Sequence, residues 1–146
     1  NTRTYTIVDA ADAEWANQWR WYLNGRYATR SIRVNGKPGQ SKLHRELLGI
    51  VHGDSFEGDH INRDKLDNRR ANLRAVTHAE NMQNHPGKRQ STSQYRGVSW
   101  ASEKRKWLAN VTIRGKTINA GYFTDVRAAA EAAHDARQRL MPFAVD

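Results

Sequence analysis

The sequence contains no cysteine. That excludes a disulfide framework and any zinc site built from thiolates. No apolar run approaches the roughly 18 residues that a membrane span needs, and no signal-peptide pattern is visible at the start. These absences point to an intracellular protein with no membrane partner. Acidic residues are also scarce: 15 Asp and Glu stand against 24 Lys and Arg in 146 residues, a net charge of +9. A small chain this basic most often has an anionic polymer as partner, nucleic acid first. Solvated surface charge is the duller account. Five Trp and five Tyr in so polar a chain weigh against it, because they supply compact cores or stacking surfaces.

Residues 84–94, "NHPGKRQSTSQ", hold Pro, Gly, Ser, Thr and two cations but no large apolar side chain. That is linker composition. It predicts a first domain over 1–85, a linker over 86–94 and a second domain over 95–146, with cations in excess in both halves. In the first domain "TYTIVD" has a strand pattern and "ADAEWANQ" reads as a short helix. "WRWYLNGRYATRSIRVNGK" reads as strands broken at two Asn-Gly turns. "SKLHRELLGI" predicts a short helix with Leu43, Leu47 and Leu48 inward and Gly49 ending it. In the second domain "YRGVSW", "KWLANVTIRG" and "KTINAGYF" are three strands. "TDVRAAAEAAHDARQRLM" is a helix capped by Thr124 or Asp125, with Ala129, Ala130 and Ala133 on a small face.

The densest chemistry lies in "GDHINRDKLDNRRANLRAVTHAENMQN", residues 58–84. "EGDHI" predicts a strand, "NRDKLDNRRAN" a loop, "LRAV" a returning strand and "THAENMQN" a helix. Thr77 and Glu80 stand at capping-box spacing. A strand pair followed by a helix can bring Asp59, His60 and Asn81 together. Asp and Asn oxygens are hard ligands suited to Mg²⁺ or a similar divalent ion, which leaves His60 as a base. Phosphodiester hydrolysis uses that combination: a neutral imidazole takes the proton of an attacking water while a metal offsets charge on the phosphate. Asn84, Asn68 or His78 compete with Asn81 for the same role. His44 reads as a structural core histidine, and His52, His85 and His134 carry no pattern.

Here "LHRELLG", "GDHINRDKLDNRRANLR" and "VTHAENMQN" closely resemble the HNH endonucleases of homing and phage type, with their ββα-metal site. The resemblance implies His60 as general base and Asp59 as metal ligand, with Asn81 as the helix-borne ligand. It also implies that Asn72 orients the histidine through a backbone contact. The third letter of the motif is Asn in this chain, which keeps an oxygen ligand. Mg²⁺ is the expected ion, with Mn²⁺ as the alternative. Arg63, Arg69, Arg70 and Arg74 are candidate contacts to the DNA backbone.

Residues 93–146 resemble the DNA-binding domain of plant ethylene-response factors through "YRGV", "KW.A", "GYF", "AA.AHD.A" and "FAVD". The resemblance implies a three-stranded sheet laid in the major groove with a helix behind it. Alternation independently turns Trp107, Ala109, Val111 and Ile113 to the helix and Leu108, Asn110, Thr112 and Arg114 outward. Arg96, Lys104, Arg105, Lys106 and Lys116 are expected on the same face or its edges, where Arg suits guanine, Asn suits adenine and Lys suits phosphate. Reading positions of the plant domain carry Ser99, Asn110, Thr112 and Asn119 here, which implies a different target. The fold class expected is therefore α+β, a ββα-metal domain followed by a three-stranded antiparallel sheet packed on one helix. The function expected is a metal-dependent endonuclease of double-stranded DNA, acting as a monomer or a DNA-induced dimer, with no small-molecule cofactor beyond the metal. A catalytically silent DNA-binding regulator is the alternative, and an RNA-binding module a third.

Overall fold

A computed structural model describes residues 4–85 and 92–145. The architecture is α+β, with small antiparallel sheets and few helices. The chain divides into two compact units, residues 1–78 and 79–146. No helix among the described residues is long and apolar enough to cross a membrane.

The first unit opens with α1 (Ala10–Asn17), whose entry is marked by Asp9 in extended conformation. Strands β1 (Tyr22–Asn24), β2 (Tyr27–Val34) and β3 (Lys37–Lys42) form an antiparallel sheet in that order. The β2–β3 turn is Asn35-Gly36, both at positive φ, the backbone that a two-residue hairpin twist requires. β3 was not expected, because "KPGQSK" carries Pro38 and Gly39. An edge strand tolerates both, since one side of its ladder needs no partner, and Pro38 stands opposite Arg33 there. "TYTIVD" is not a strand. Only Ile7 bridges, in parallel, to Asp67.

Helix α2 (Leu43–Leu47) buries Leu43, His44 and Leu47, and Gly49 follows at φ 69. Leu43 and Leu47 join Ala28 and Leu73 in the core of this unit, with Trp15, Trp21, Leu48 and Leu66 packed around them. Strands β4 (Phe56–His60) and β5 (Leu73–Thr77) pair antiparallel, with Asp59 opposite Arg74 and His60 opposite Leu73. A single 3₁₀ turn over Arg70–Asn72 leads into β5.

Helix α3 (His78–Gln83) begins at the division between the units. The composition-based boundary at 86–94 falls mostly outside the described residues. Within the second unit α3 is tied down by polar contacts: Arg96 Nη2 donates to the Gln83 carbonyl at 2.9 Å, and Phe143 N–H donates to Gln83 Oε1 at 3.2 Å. Strands β6 (Val98–Ala101), β7 (Lys106–Ile113) and β8 (Lys116–Phe123) form the second three-stranded sheet. Helix α4 (Val126–Leu140) packs on it, and Asp125 caps the helix by accepting from Arg127 N–H and Ala128 N–H, both at 2.9 Å.

Ala129 and Ala133 are fully buried against Val98 and Ala109, so the small helix face does allow close approach. Gly97 of "YRGV" sits at φ 78, where a Cβ would collide with the Asn110 carbonyl oxygen. That explains the glycine in the motif, since Asn110 N–H donates to the Gly97 carbonyl at 2.8 Å and brings the two segments together. A bulge at Ala120 shifts the β7–β8 register, so Asn110 faces Asn119 and Ala109 faces Gly121.

Candidate active site

The site starts from two adjacent residues at the end of β4. Side chains alternate across a strand, so Asp59 and His60 leave it on opposite faces, and the structure gives them different partners. Asp59, only 2% exposed, receives Arg74 from the neighbouring strand: Nε donates to Oδ2 at 2.9 Å, and Nη2 lies 2.7 Å from the same oxygen. His60 is wholly buried. Its ring stands edge-on to His44 with centroids 4.8 Å apart, and 6.2 Å from the Tyr27 ring.

The hydrogen bonds around His60 decide its tautomer. A carbonyl can only accept, so Thr6 Oγ1 must donate its one hydrogen to the Leu66 carbonyl, 2.8 Å away. Thr6 Oγ1 can then only accept from Asn68, which turns Asn68 Nδ2 toward it at 2.7 Å. Asn68 Oδ1 therefore faces His60 Nε2 at 3.1 Å and accepts. In the neutral ring the hydrogen lies on Nε2 and the basic lone pair on Nδ1. Burial pushes the His60 pKa below the ordinary histidine value. The Asn68 contact opposes this without overcoming it, and the ring is neutral at pH 7.

The loop from 61 to 72 is held by its own amides. Asn72 Oδ1 accepts from Asn62 N–H at 2.9 Å, while Asn72 Nδ2 donates to Asn62 Oδ1 at 2.9 Å and to the Asp67 carbonyl at 2.7 Å. The Asn72 carbonyl also accepts from Ile61 N–H at 2.9 Å, which fixes the backbone directly after His60. Asn72 thus braces the loop, while Asn68 makes the side-chain contact to the histidine ring. Asx-type contacts from Asn62 to Asp64 N–H and from Asp64 to Leu66 N–H turn the chain between them. This network explains a polar stretch with so few core side chains: the amides replace regular backbone pairing.

The arginines expected on DNA separate into classes. Arg69 forms a two-pronged pair with Asp67, at 2.8 and 2.7 Å, and that guanidinium holds the Asp67 pKa at about 2. Arg70 does the same with Asp12, at 2.8 and 2.7 Å, tying α1 to the loop and lowering the Asp12 pKa. Arg74 is committed to Asp59. These three are structural partners of carboxylates in the structure. Arg63 adopts φ 66 and its N–H donates to the His60 carbonyl at 2.9 Å, closing the turn after the histidine.

Asn81 lies on α3 in the second unit, so the site in the first unit is described without it. Among the described residues no group of three or more His, Asp or Glu could hold a metal ion. A hard divalent ion does not need one: Mg²⁺ is commonly held by one or two carboxylates plus water and substrate phosphate. Asp59 fits that use as a single carboxylate. His78, weighed as a competing ligand, instead places Nδ1 2.8 Å from Glu57 Oε1. Sequence reading passed over two cations here, Lys42 and Lys65, which stand over the Tyr27 ring. Only their wide spacing from each other in the chain hid them.

In the second unit the outward sheet face carries Ser99, Leu108, Asn110, Asn119, Thr112, Thr117 and Tyr122 at paired positions. Thr112 and Thr117 hydroxyls touch across the strands at 3.0 Å. Lys106 opens β7 and Lys116 opens β8, while Lys104 stands 4.2 Å over the Tyr122 ring. Arg114 is not a strand residue. It forms the β7–β8 turn with Gly115, both at positive φ. Arg105, also at positive φ, lies in the β6–β7 turn. Arg96 lies off the outward face, in a cleft beside α4 with Tyr95, Glu131, His134 and Arg137, and its carbonyl accepts from Arg137 Nη1 at 2.8 Å.

Comparison with known proteins bears on the segment that holds Asp59 and His60. The HNH endonuclease family model matches residues 42–83, from the end of β3 to the end of α3. The chain is similar to Protein 3.8 of Escherichia phage T7, with 36% identity over 81 residues, covering 53% of this chain and 67% of that protein. No solved structure matches.

Proposed function

We propose that this chain, which belongs to one family with Protein 3.8 of Escherichia phage T7 and carries an HNH endonuclease domain at 42–83, is a metal-dependent endonuclease of double-stranded DNA. The observation that carries this reading is the state of His60: buried, neutral, its Nε2–H given to Asn68 and its basic lone pair on Nδ1, one residue from Asp59. A base must be unprotonated at working pH, and burial of this ring achieves that.

HNH nucleases generally use a divalent metal ion, which offsets the charge that develops on the phosphate and the leaving oxygen. In this chain Asp59 would hold it, oriented by Arg74, with Mg²⁺ as the ion. His60 Nδ1 takes a proton from water. The water oxygen bonds to phosphorus, one bridging P–O bond breaks, and the departing oxygen takes a proton from solvent. Asn68 and Thr6 keep the accepting nitrogen in place throughout, and Asn72 holds the loop that carries Asn68.

The second unit's role is targeting. Its likeness to ethylene-response-factor domains and the polar outward sheet support a major-groove reader, with Asn110, Asn119, Thr112 and Ser99 toward base edges and Lys104, Lys106 and Lys116 toward phosphates. One experiment tests the whole reading. Supercoiled plasmid is incubated with the protein in Mg²⁺ and, separately, in EDTA. Cutting in Mg²⁺ alone is expected, and His60→Ala should lower its rate by about 10²–10⁴-fold with DNA affinity nearly unchanged. Binding without any cutting in Mg²⁺ or Mn²⁺ would replace this reading with that of a silent DNA-binding regulator.

A further inference from the structure

Three segments distant in sequence place two ammonium groups around one ring beside His60. Tyr27 opens β2, Lys42 closes β3, and Lys65 lies in the loop after β4. Lys42 Nζ stands 4.2 Å from the Tyr27 ring centroid and Lys65 Nζ 5.9 Å. That ring is itself 5.2 Å from His44 and 6.2 Å from His60. Lys42 is exposed and Lys65 half-buried.

The local charge is unbalanced. Among the described residues neither ammonium is in an ion pair. Asp59, the carboxylate that attracts Lys65, already accepts from Arg74. Lys42 and Arg63 repel Lys65, and burial adds to the cost of its charge. The half-buried Lys65 ammonium, whose attracting carboxylate Asp59 is already engaged by Arg74, is costly to keep charged unless an anion arrives. A π face relieves only part of this. The arriving anion must fit two compact point charges, each with three rotatable donors, beside a neutral base. The non-bridging oxygens of neighbouring phosphates on a nucleic-acid backbone meet that description.

We infer that Lys65 and Lys42, held over Tyr27, form the phosphate clamp of this site. Lys65 takes a non-bridging oxygen of the scissile phosphodiester, and Lys42 takes the phosphate beside it. The inference rests on the nuclease reading above and names the groups that hold its substrate. The division follows from position: Lys65 acts on both Asp59 and His60, whereas Lys42 is at the exposed rim. Lys65 contributes chiefly to rate, because charge on the non-bridging oxygens grows as the bond is cut. Lys42 contributes chiefly to binding.

The test uses the full chain with Lys65→Gln, Lys65→Arg and Lys42→Gln, each checked for an unchanged thermal melt. Two quantities are read on a labelled duplex: the single-turnover cleavage rate constant at saturating protein in Mg²⁺, and affinity in EDTA across a salt series. Lys65→Gln is expected to lower the rate constant about 10²–10³-fold, as for loss of a preorganised donor, with Lys65→Arg restoring most of it. Lys42→Gln should lower the rate constant much less than Lys65→Gln does. It should weaken affinity and reduce the slope of log K against log salt by about 0.9, one phosphate contact. If both glutamine variants keep rate constant, affinity and slope, the clamp is overturned while the nuclease reading stands. If the wild type cuts nothing in any divalent ion, the nuclease reading fails instead. The EDTA slopes still decide the clamp in that case: unchanged slopes overturn it, and a slope lowered by Lys42→Gln retains the phosphate contact.

Discussion

The ring of His44 rests directly on the backbone of Gly58, where a Cβ would overlap His44 Cδ2 and approach Leu48 Cδ1 to 3.3 Å. Helix α2 can therefore lie on β4 only because residue 58 has no side chain. His44 in turn supports the His60 ring at 4.8 Å. The two backbones cannot separate without opening the Leu43 and Leu47 core. Gly58→Ala is accordingly expected to cost about 1–3 kcal/mol through overpacking, seen as a lower midpoint in urea. Cleavage at a temperature where the variant is folded should also fall, because the displaced His44 moves His60. An unchanged midpoint would mean that α2 relaxes freely away from β4.

The same burial makes stability depend on acid. His44 has its pKa pushed down to about 3, chiefly by desolvation, then by the neighbouring His60, with the cations Lys42, Lys65 and Arg45 adding to it. The unfolded chain takes up this proton near pH 6.5 and the folded chain resists until about 3. Stability from the neutral ring is therefore complete above pH 6.5 and declines as pH falls toward 3, by at most about 1.4 kcal/mol per pH unit. Asp67 acts at lower pH: held at about 2 by Arg69, it loses its contribution as pH drops below the ordinary 3.8. Urea midpoints at pH 7.5, 6, 5 and 4 should fall progressively, and His44→Gln should flatten the trend between 6.5 and 4. Equal slopes in the two proteins would assign the acid sensitivity elsewhere.

The tautomer of His60 can be seen directly. The order Leu66 carbonyl, Thr6 hydroxyl, Asn68 amide, His60 Nε2 predicts an Nε2–H imidazole. Long-range proton–nitrogen spectra of the imidazole at pH 7.5 should show Nδ1 as the unprotonated nitrogen. Thr6→Val removes the acceptor for Asn68 Nδ2, leaving a buried donor at a cost of about 1–3 kcal/mol, and should mix the tautomers. A pure Nδ1–H ring in the wild type would reverse the direction of the chain.

Asp59 and Arg74 predict a separable effect on metal use. Asp59→Asn keeps the volume but removes the proposed anionic ligand, so the Mg²⁺ concentration for half-maximal cleavage should rise. Arg74→Ala should instead destabilise the fold by about 3–5 kcal/mol, since it strands a buried carboxylate. A Mg²⁺ titration of Asp59→Asn that superimposes on wild type would remove Asp59 from the ligand set.

On the second sheet, Asn110→Ala should reduce discrimination between target and scrambled duplex by about 1–3 kcal/mol if the amide reads a base. Lys116→Ala should weaken both duplexes alike. Arg96→Ala is expected to leave discrimination intact, because its guanidinium is directed to the Gln83 carbonyl rather than the outward face. Competition gel shifts measure all three.

Much of this molecule could be read from residue order alone, where the cause is local. The Asp59-His60 pair, the returning strand at 73–77, helix α4 with its Asp125 cap and the inward alternation of Trp107, Ala109 and Val111 all follow from periodicity, turn chemistry and capping. These depend on neighbours within a few positions. What only the tertiary structure decided depends on residues that meet from far apart. Arg70 finds Asp12 across 58 positions and Asn68 finds Thr6 across 62, so neither the sorting of arginines into ion pairs nor the orientation of His60 was visible in the motif. β3 was missed because its Pro38 and Gly39 argue against a strand until an edge position excuses them. Lys42 and Lys65 carry no pattern along the chain, and only β2, β3 and the loop after β4 bring them to one ring. Pattern is sensed along the chain, whereas charge and hydrogen bonding act through space, and the site is assembled from the second kind of contact.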